Sequence, residues 1–314
     1  MAKKKELGSV LRNFALVFII IAIIVVMSFV SPVFMTSKNI INIIRQISIN
    51  GIIAVGMTFV ILTGGIDLSV GSVVAITSVI VGSMLQGGSN WLVACIVALL
   101  ISLVFGAFNG FMIAYVGFQP FIATLATVTM GSGIALAYSD GKPFTISNES
   151  FLKIGQGYLG AIPIPIVLLV IVVAIGLIIL KTTTFGRYVF AIGGNKNAAK
   201  LSGVRTRRVE LMVYVISALC ASIVGLILSA RISSGQPTAG EGYELDAIAA
   251  TAIGGTSMTG GVGSLTGTIF GFVLLGLMTN SMNLLNINSF YQEIIKGILI
   301  IIAVFLDMTS KNKK

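Results

Sequence analysis

The chain has 314 residues, 56% of them hydrophobic and only 10% charged, with a mean hydropathy of +1.05. A soluble domain carries roughly 25% charged residues, so this composition excludes the ordinary water-soluble classes and makes the bilayer the solvent. The formal charge of +10 does not point to nucleic acid, because the basic residues are scattered between apolar runs and are not interleaved with aromatics on a soluble face.

Apolar runs recur from Phe14 to Asp307 with no polar block of domain size between them, which predicts a single integral membrane domain over 1–314. Lys3, Lys4, Lys5 and Arg12 precede the run Phe14 to Val30, which is too long for a signal-peptide core, and Ser31-Pro32-Val33-Phe34 is not a small-x-small cleavage site. That run reads as a retained first helix starting in the cytoplasm. A second helix, Arg45 to Leu62, returns to Thr63-Gly64-Gly65-Ile66-Asp67, and a third, Leu68 to Leu85, ends at the polar turn Gln86 to Asn90. Trp91 opens a fourth helix reaching Val116 and stands where an interfacial anchor belongs. Gly117-Phe118-Gln119-Pro120 breaks the chain before a fifth helix to Ala137. The segment 138–163, rich in Gly, Pro and Ser, lies outside, and a sixth helix, Ile164 to Leu180, comes back in.

By this path 182–208 is cytoplasmic, and its composition agrees: Arg187, Lys196, Lys200, Arg205, Arg207 and Arg208, with Lys181 before them, oppose only Glu210 at its end. Helix seven, Leu211 to Ala230, leads to a second outside segment, 231–244. Asp246 to Ile253 is too short to span a hydrocarbon core of about 30 Å, which takes roughly 20 helical residues. It reads as a half-helix ending in Gly254 to Gly261, followed by full helices from Val262 to Met282 and from Tyr291 to Leu306. The expected fold class is an all-α polytopic membrane protein of about ten transmembrane segments, Gly-broken half-helices included. Basic residues favour the inside segments, with Lys311, Lys313 and Lys314 at the end, which predicts N-in and C-in.

Irregular backbone facing lipid leaves costly unpaired N–H and C=O groups, so both Gly-rich breaks must face protein or a wet cavity. Gly64-Gly65 followed by Gly71-Ser72 echoes Gly254-Gly255 followed by Gly263-Ser264, which leaves an internal repeat open as one reading and helix packing by small residues as the other.

Much chemistry is missing. With no histidine there is no imidazole for general acid–base work or metal ligation, and Cys95 and Cys220 lie in apolar segments without ligand spacing. No G-x-x-x-x-G-K-[ST] loop occurs, so the chain holds no ATP site of that kind. Neither a metal, a cofactor nor a catalytic residue is expected, and the chain reads as a non-enzyme. Asp67 is the one carboxylate deep among the consecutive helices, and it has two readings: an N-cap for the helix starting at Leu68, or a contact for substrate hydroxyls.

Longer motifs carry a resemblance. Phe59-Val60-Ile61-Leu62-Thr63-Gly64-Gly65-Ile66-Asp67-Leu68-Ser69-Val70-Gly71, Pro120-Phe121-Ile122-Ala123-Thr124-Leu125-Ala126-Thr127, Phe185-Gly186-Arg187-Tyr188 with Ala191 to Asn195, and Ser234 to Gly240 running on through Tyr243 to Ala250 resemble the monosaccharide permeases of ABC importers, most closely those for ribose. The resemblance covers nearly the whole chain. It implies a multi-pass protein of the bacterial inner membrane that pairs with a second copy of itself. It also implies a cytoplasmic tandem ATPase subunit as energy source and an extracytoplasmic sugar-binding protein that delivers cargo. Permeases for xylose, galactose and other polyols share much of this text. A proton-coupled porter, the rival class, would need a titratable pathway for which Asp67 alone is thin support.

Within the inside loop, Asn197-Ala198-Ala199-Lys200-Leu201-Ser202-Gly203 resembles the importer docking motif, with Asn197 where an acidic residue is usual. A short helix there would place Ala198, Leu201 and Ser202 on one face, and the implied ATPase contact extends to Gly186 and Arg187. A translocation path needs hydroxyl-matching groups that do not hold cargo tightly. The candidates are Asn50, Asp67, Ser69, Asn109, Gln119, Thr124, Thr127, Asn280 and Asn283, with Phe59, Phe105, Phe108 and Phe121 as stacking or gating rings for which ordinary packing is the competing reading. For each polar candidate the competing reading is a hydrogen bond between helices.

Overall fold

The computed structural model describes the backbone of residues 2–312 and the side chains of residues 16–305. The charges expected to mark the two ends, Lys3, Lys4, Lys5, Arg12, Lys311, Lys313 and Lys314, lie outside the described side chains. The helices run in the order α1 (Ala2–Val30), α2 (Ser37–Leu62), α3 (Val70–Gln86), α4 (Trp91–Phe111) with a closing π-helical turn Met112–Val116, α5 (Pro120–Ser139), α6 (Glu149–Gln156) and α7 (Ile164–Thr182). They continue as α8 (Thr184–Gly194), α9 (Lys196–Leu201), α10 (Thr206–Ile232), α11 (Tyr243–Ile253), α12 (Leu265–Leu284) and α13 (Ser289–Asn312).

Among the described residues, six helices are long and apolar enough to cross a membrane: α2, α4 with its π-helical turn, α5, α7, α10 and α12. α3 and the Leu16–Val30 part of α1 are shorter apolar helices. The 17 residues of α3 rise about 26 Å at ~1.5 Å per residue, close to the ~30 Å hydrocarbon core. Burial separates inner from outer helices: 78% of the apolar window of α2, 67% of that of α12 and 61% of that of α10 are buried, against 22% for α7. α2, α10 and α12 are therefore the central pillars. α4, α5 and α7 turn large apolar side chains such as Val104, Ile122 and Ile178 outward, as lipid-facing helices do.

Helix starts differ from the sequence expectation where polar residues mask a helical end. α2 begins at Ser37 and not near Arg45, because the Thr36 hydroxyl accepts the Asn39 N–H at 3.4 Å and caps it. α10 begins at Thr206 and not Leu211, so Arg207, Arg208 and Glu210 belong to its first turns. α12 begins at Leu265, where Ser264 accepts the Gly267 N–H at 3.0 Å, and the residues from Val262 belong to the break before it.

The segment 138–163 is more ordered than its Gly, Pro and Ser content suggests. Asn148 caps α6 through the Phe151 N–H at 3.0 Å, and Phe151 is buried beneath. Two short strands, β1 (Phe144–Thr145) and β2 (Tyr158–Leu159), precede β3 (Ile162–Pro163), which pairs antiparallel with β2. β1 pairs antiparallel with β4 (Ser234–Gly235) and so ties 138–163 to 231–244. From β4 the chain does not stay at the end of the bundle. Gln236 N–H donates to Ser78 Oγ at 2.9 Å, Gly235 lies against Gly82, Gly240 against Val74, and Glu244 against Gly71, so 234–244 descends antiparallel to α3.

Candidate functional site

At one end of the bundle, α8 and α9 sit between α7 and α10 and carry Arg187, Lys196 and Lys200, with Arg205 just ahead of α10. Here three glycine-bearing segments meet. The Leu62 carbonyl, at the end of α2, accepts the Gly261 N–H at 2.9 Å, and Gly193 of α8 is seated against both atoms so closely that a Cβ would overlap them. Gly64 and Gly260 hold φ of +82° and +84°, a region open to glycine without steric cost, and a Cβ on Gly260 would lie 2.7 Å from Gly64 N. Both breaks thus face protein, and they pack on each other.

Immediately after Gly64, the turn to α3 is held by a buried polar chain. Ser69 donates to Asp67 Oδ1 from its N–H at 3.0 Å and from its hydroxyl at 2.6 Å. Asn109 Nδ2 of α4 donates to Ser69 Oγ at 2.8 Å, and Thr127 Oγ1 of α5 donates to Asn109 Oδ1 at 2.5 Å. Thr124 Oγ1 lies 3.4 Å from the Ile66 carbonyl. Asp67 is 1% exposed and its neighbours are equally buried. Five sequence candidates, Asp67, Ser69, Asn109, Thr124 and Thr127, therefore come together as a strut joining three helices. The capping reading of Asp67 needs correction: α3 starts at Val70, and the carboxylate closes the turn ahead of it.

Toward the opposite end lies a cavity of about 260 Å³ lined by Gln46 and Asn50 of α2, Arg231, Tyr243, Asp246, Asn283 and Lys296. Asp246 of α11 is 8% exposed and meets Lys296 Nζ of α13 at 2.9 Å. Asn283 also accepts from Gln292 Nε2 at 2.8 Å. The cavity offers amides, a phenol and a partly neutralised ion pair, a lining suited to exchanging hydrogen bonds with a small polyhydroxylated solute. Sequence reasoning found only Asn50 and Asn283 here. Asp67 is also not the one deep carboxylate, since Asp246 and Glu210 are buried as well. An acidic residue on α11 and a lysine in the apolar run of α13 were the available signal, because charges within membrane segments come in pairs.

The remaining candidates scatter. Asn280 exchanges two hydrogen bonds with Asn39 of α2, at 2.8 and 3.1 Å, and so joins helices. Phe59 is buried, 6.5 Å between ring centroids from Phe185, while Gln119 and Phe121 are exposed at the basic end.

A short helix, α9, does lie in the segment that resembles a docking motif. Asn195 accepts the Ala198 N–H at 3.0 Å as its cap, Ala199 turns inward, and Asn197, Ala198, Leu201 and Ser202 are exposed. Leu201 is 89% exposed, a large apolar side chain standing free among cations. Lys196 Nζ pairs with Glu210 Oε1 of α10 at 2.7 Å, which anchors the helix from behind. Gly186 is wedged against the Leu180 backbone at the α7–α8 corner, and Arg187 beside it is exposed.

Comparison with known proteins completes the picture. A family model described as branched-chain amino acid transport system / permease component matches residues 39–304. The ribose import permease protein of Bacillus subtilis (strain 168) is 46% identical over 287 residues, 91% of this chain and 89% of that one. The ribose import permease protein of Haemophilus influenzae is 45% identical over 96% of this chain and 94% of its own. The xylose transport system permease protein of Escherichia coli (strain K12) is 32% identical over 96% of this chain and 93% of its own. No solved structure matches the chain.

Proposed function

The chain belongs to the branched-chain amino acid transport system / permease component family, and from that premise we propose that it is the transmembrane permease subunit of an ATP-binding-cassette importer for a monosaccharide, D-ribose. The carrying observation is its 46% identity to a ribose import permease over nine-tenths of both chains, against 32% to a xylose permease. It is a multi-pass protein of the bacterial inner membrane.

The end bearing α8 and α9 is the cytoplasmic one, because its basic residues obey the positive-inside rule. α1 to α5, α7, α10, the half-helix α11, α12 and α13 then make about ten crossings with both termini inside. Gly186, Arg187 and the exposed α9 face from Asn197 to Gly203 dock a cytoplasmic ATPase subunit, which alone supplies ATP hydrolysis. The end bearing α6 receives an extracytoplasmic sugar-binding protein, and a second copy of the chain completes the core.

Sugar enters through the cavity lined by Asn50, Asn283, Asp246 and Lys296, where several weak partners replace hydration without trapping the cargo. The buried strut around Asp67 keeps the turn rigid beside the glycine junction, where movement of α8 reaches both helix breaks. Phe59, Gln119 and Phe121 stand near the inner end of this route, and Asn280 fixes α12 against α2.

Reconstitution tests the reading. Proteoliposomes holding the permease, its ATPase and its binding protein are expected to accumulate D-ribose only with ATP. Uptake driven by a proton gradient without ATP would overturn it.

A further inference from the structure

A second cavity, of about 270 Å³, opens at the basic end between the Thr63 to Gly65 turn, the Gly117 to Pro120 break and the head of α10. Its polar wall is Lys196, Glu210 and Tyr214, and its apolar wall includes Ile113 and Phe118. Glu210 gives one carboxylate oxygen to Lys196 at 2.7 Å, but the other, Oε2, has no hydrogen-bond partner, and neither has the Tyr214 hydroxyl. The two residues are 7% and 1% exposed. Both atoms are closed to solvent behind the cavity wall, and buried polar atoms are nearly always satisfied, so they are the groups a ligand would complete when the Thr63 to Gly65 turn parts from the head of α10.

The chemistry of the orphans selects the ligand. The Glu210 carboxylate repels anions, and the Lys196 ammonium beside it disfavours a free cation. A neutral molecule with adjacent hydroxyls fits both atoms: one hydroxyl donates to Glu210 Oε2 and the next accepts from Tyr214, while ring C–H groups lie on Ile113 and Phe118. We propose that this cavity is a second sugar site, facing the compartment into which cargo is released, and that its occupancy slows import. The proposal rests on the reading of the chain as a sugar permease. Its lever is positional: Lys196 opens α9, Tyr214 lies against Gly65, and both border the junction that couples α8 to the helix breaks. A sugar bridging Glu210 and Tyr214 fixes α10 to that turn and opposes its movement.

Two measurements decide it, with D-ribose as probe. Equilibrium binding of radiolabelled D-ribose to the purified permease dimer, without ATPase or binding protein, should be roughly tenfold weaker in Tyr214→Phe, the loss of one buried hydrogen bond to ligand. In proteoliposomes of the full importer, unlabelled D-ribose trapped at millimolar concentration on the ATPase side should lower the initial uptake rate several-fold. In Tyr214→Phe most of that inhibition should be lost when each rate is divided by the same variant's rate into sugar-free vesicles. If Tyr214→Phe does not insert, Glu210→Gln carries both comparisons. Equal binding and equal inhibition in wild type and variant, or no effect of trapped sugar on the wild type, would sink the proposal. Absence of ATP-driven uptake would strike the permease reading instead and leave the binding comparison to judge the site.

Discussion

The carbonyl of Leu62 and the N–H of Gly261, separated by 199 positions in sequence, share a 2.9 Å hydrogen bond at the point where Gly193 of the basic loop presses on both. One bond thus joins the end of a pillar helix to the break before α12, under direct contact from α8.

A methyl group at Gly193 has nowhere to go, since the nearest atoms are Leu62 O and Gly261 N. Gly193→Ala is expected to cost about 1 to 3 kcal/mol by overpacking and to lower both thermal stability in detergent and sugar uptake. Gly194→Ala, whose Cβ would meet nothing within 4 Å, is the control and should behave as wild type. Equal behaviour of the two variants would mean the junction is loose.

Asp67 accepts two hydrogen bonds from Ser69 through one oxygen, and an asparagine keeps that oxygen. Asp67→Asn should therefore keep most uptake, whereas Asp67→Leu leaves a buried N–H and a hydroxyl without their acceptor, at about 1 to 3 kcal/mol. Thermal unfolding of both proteins measures this. Equal destabilisation would assign the role to the charge.

The Asp246–Lys296 pair at 2.9 Å predicts an asymmetric mutant cycle. Lys296→Met strands a buried carboxylate and should destabilise by about 3 to 5 kcal/mol, while the double variant Asp246→Asn with Lys296→Met should recover much of it. Uptake should stay impaired in the double variant if the pair borders the sugar route, so stability and transport separate.

Leu201 is exposed on α9 and touches no membrane helix core. Leu201→Asp should leave insertion and thermal stability unchanged and abolish retention of the ATPase on the purified permease. Gly203→Asp tests the same surface less cleanly, because Gly203 holds a φ of +84° and a side chain there is strained. Full ATPase retention in Leu201→Asp would reduce α9 to a solvated connector.

Sidedness is checked with Cys95→Ala and Cys220→Ala as background. Asn148→Cys should react with an impermeant thiol reagent in intact cells, and Asn197→Cys only after lysis. The reverse pattern would invert the topology.

The spanning helices were legible because lipid demands long apolar runs, which read directly from residues such as those of α7. Proximity was not legible. Asn109 and Thr127 announce themselves as buried polar residues, but their hydrogen bond depends on how α4 and α5 pack. Gln46, Tyr243 and Arg231 converge on the cavity beside Asp246 from three separate elements, and no spacing within one helix records that. α6 escaped notice because its start is encoded by a single cap, Asn148, amid turn-forming residues. Gly64 and Gly260 were visible as glycines, but not as neighbours.

The descent of 234–244 along α3 also has a consequence for the order of assembly. Ser78 Oγ receives its hydrogen bonds from Ser229 Oγ at 2.8 Å and Gln236 N–H at 2.9 Å, groups that leave the ribosome long after α3 itself. Until then α3 carries a polar notch and a row of small residues with no occupant, so it reaches its final seat only when the second half of the chain arrives. Closure of the bundle around α3 is accordingly expected to wait for the second half of the chain. A ribosome-stalled chain ending before Ser229 should hold α3 open to water and to quality-control proteases.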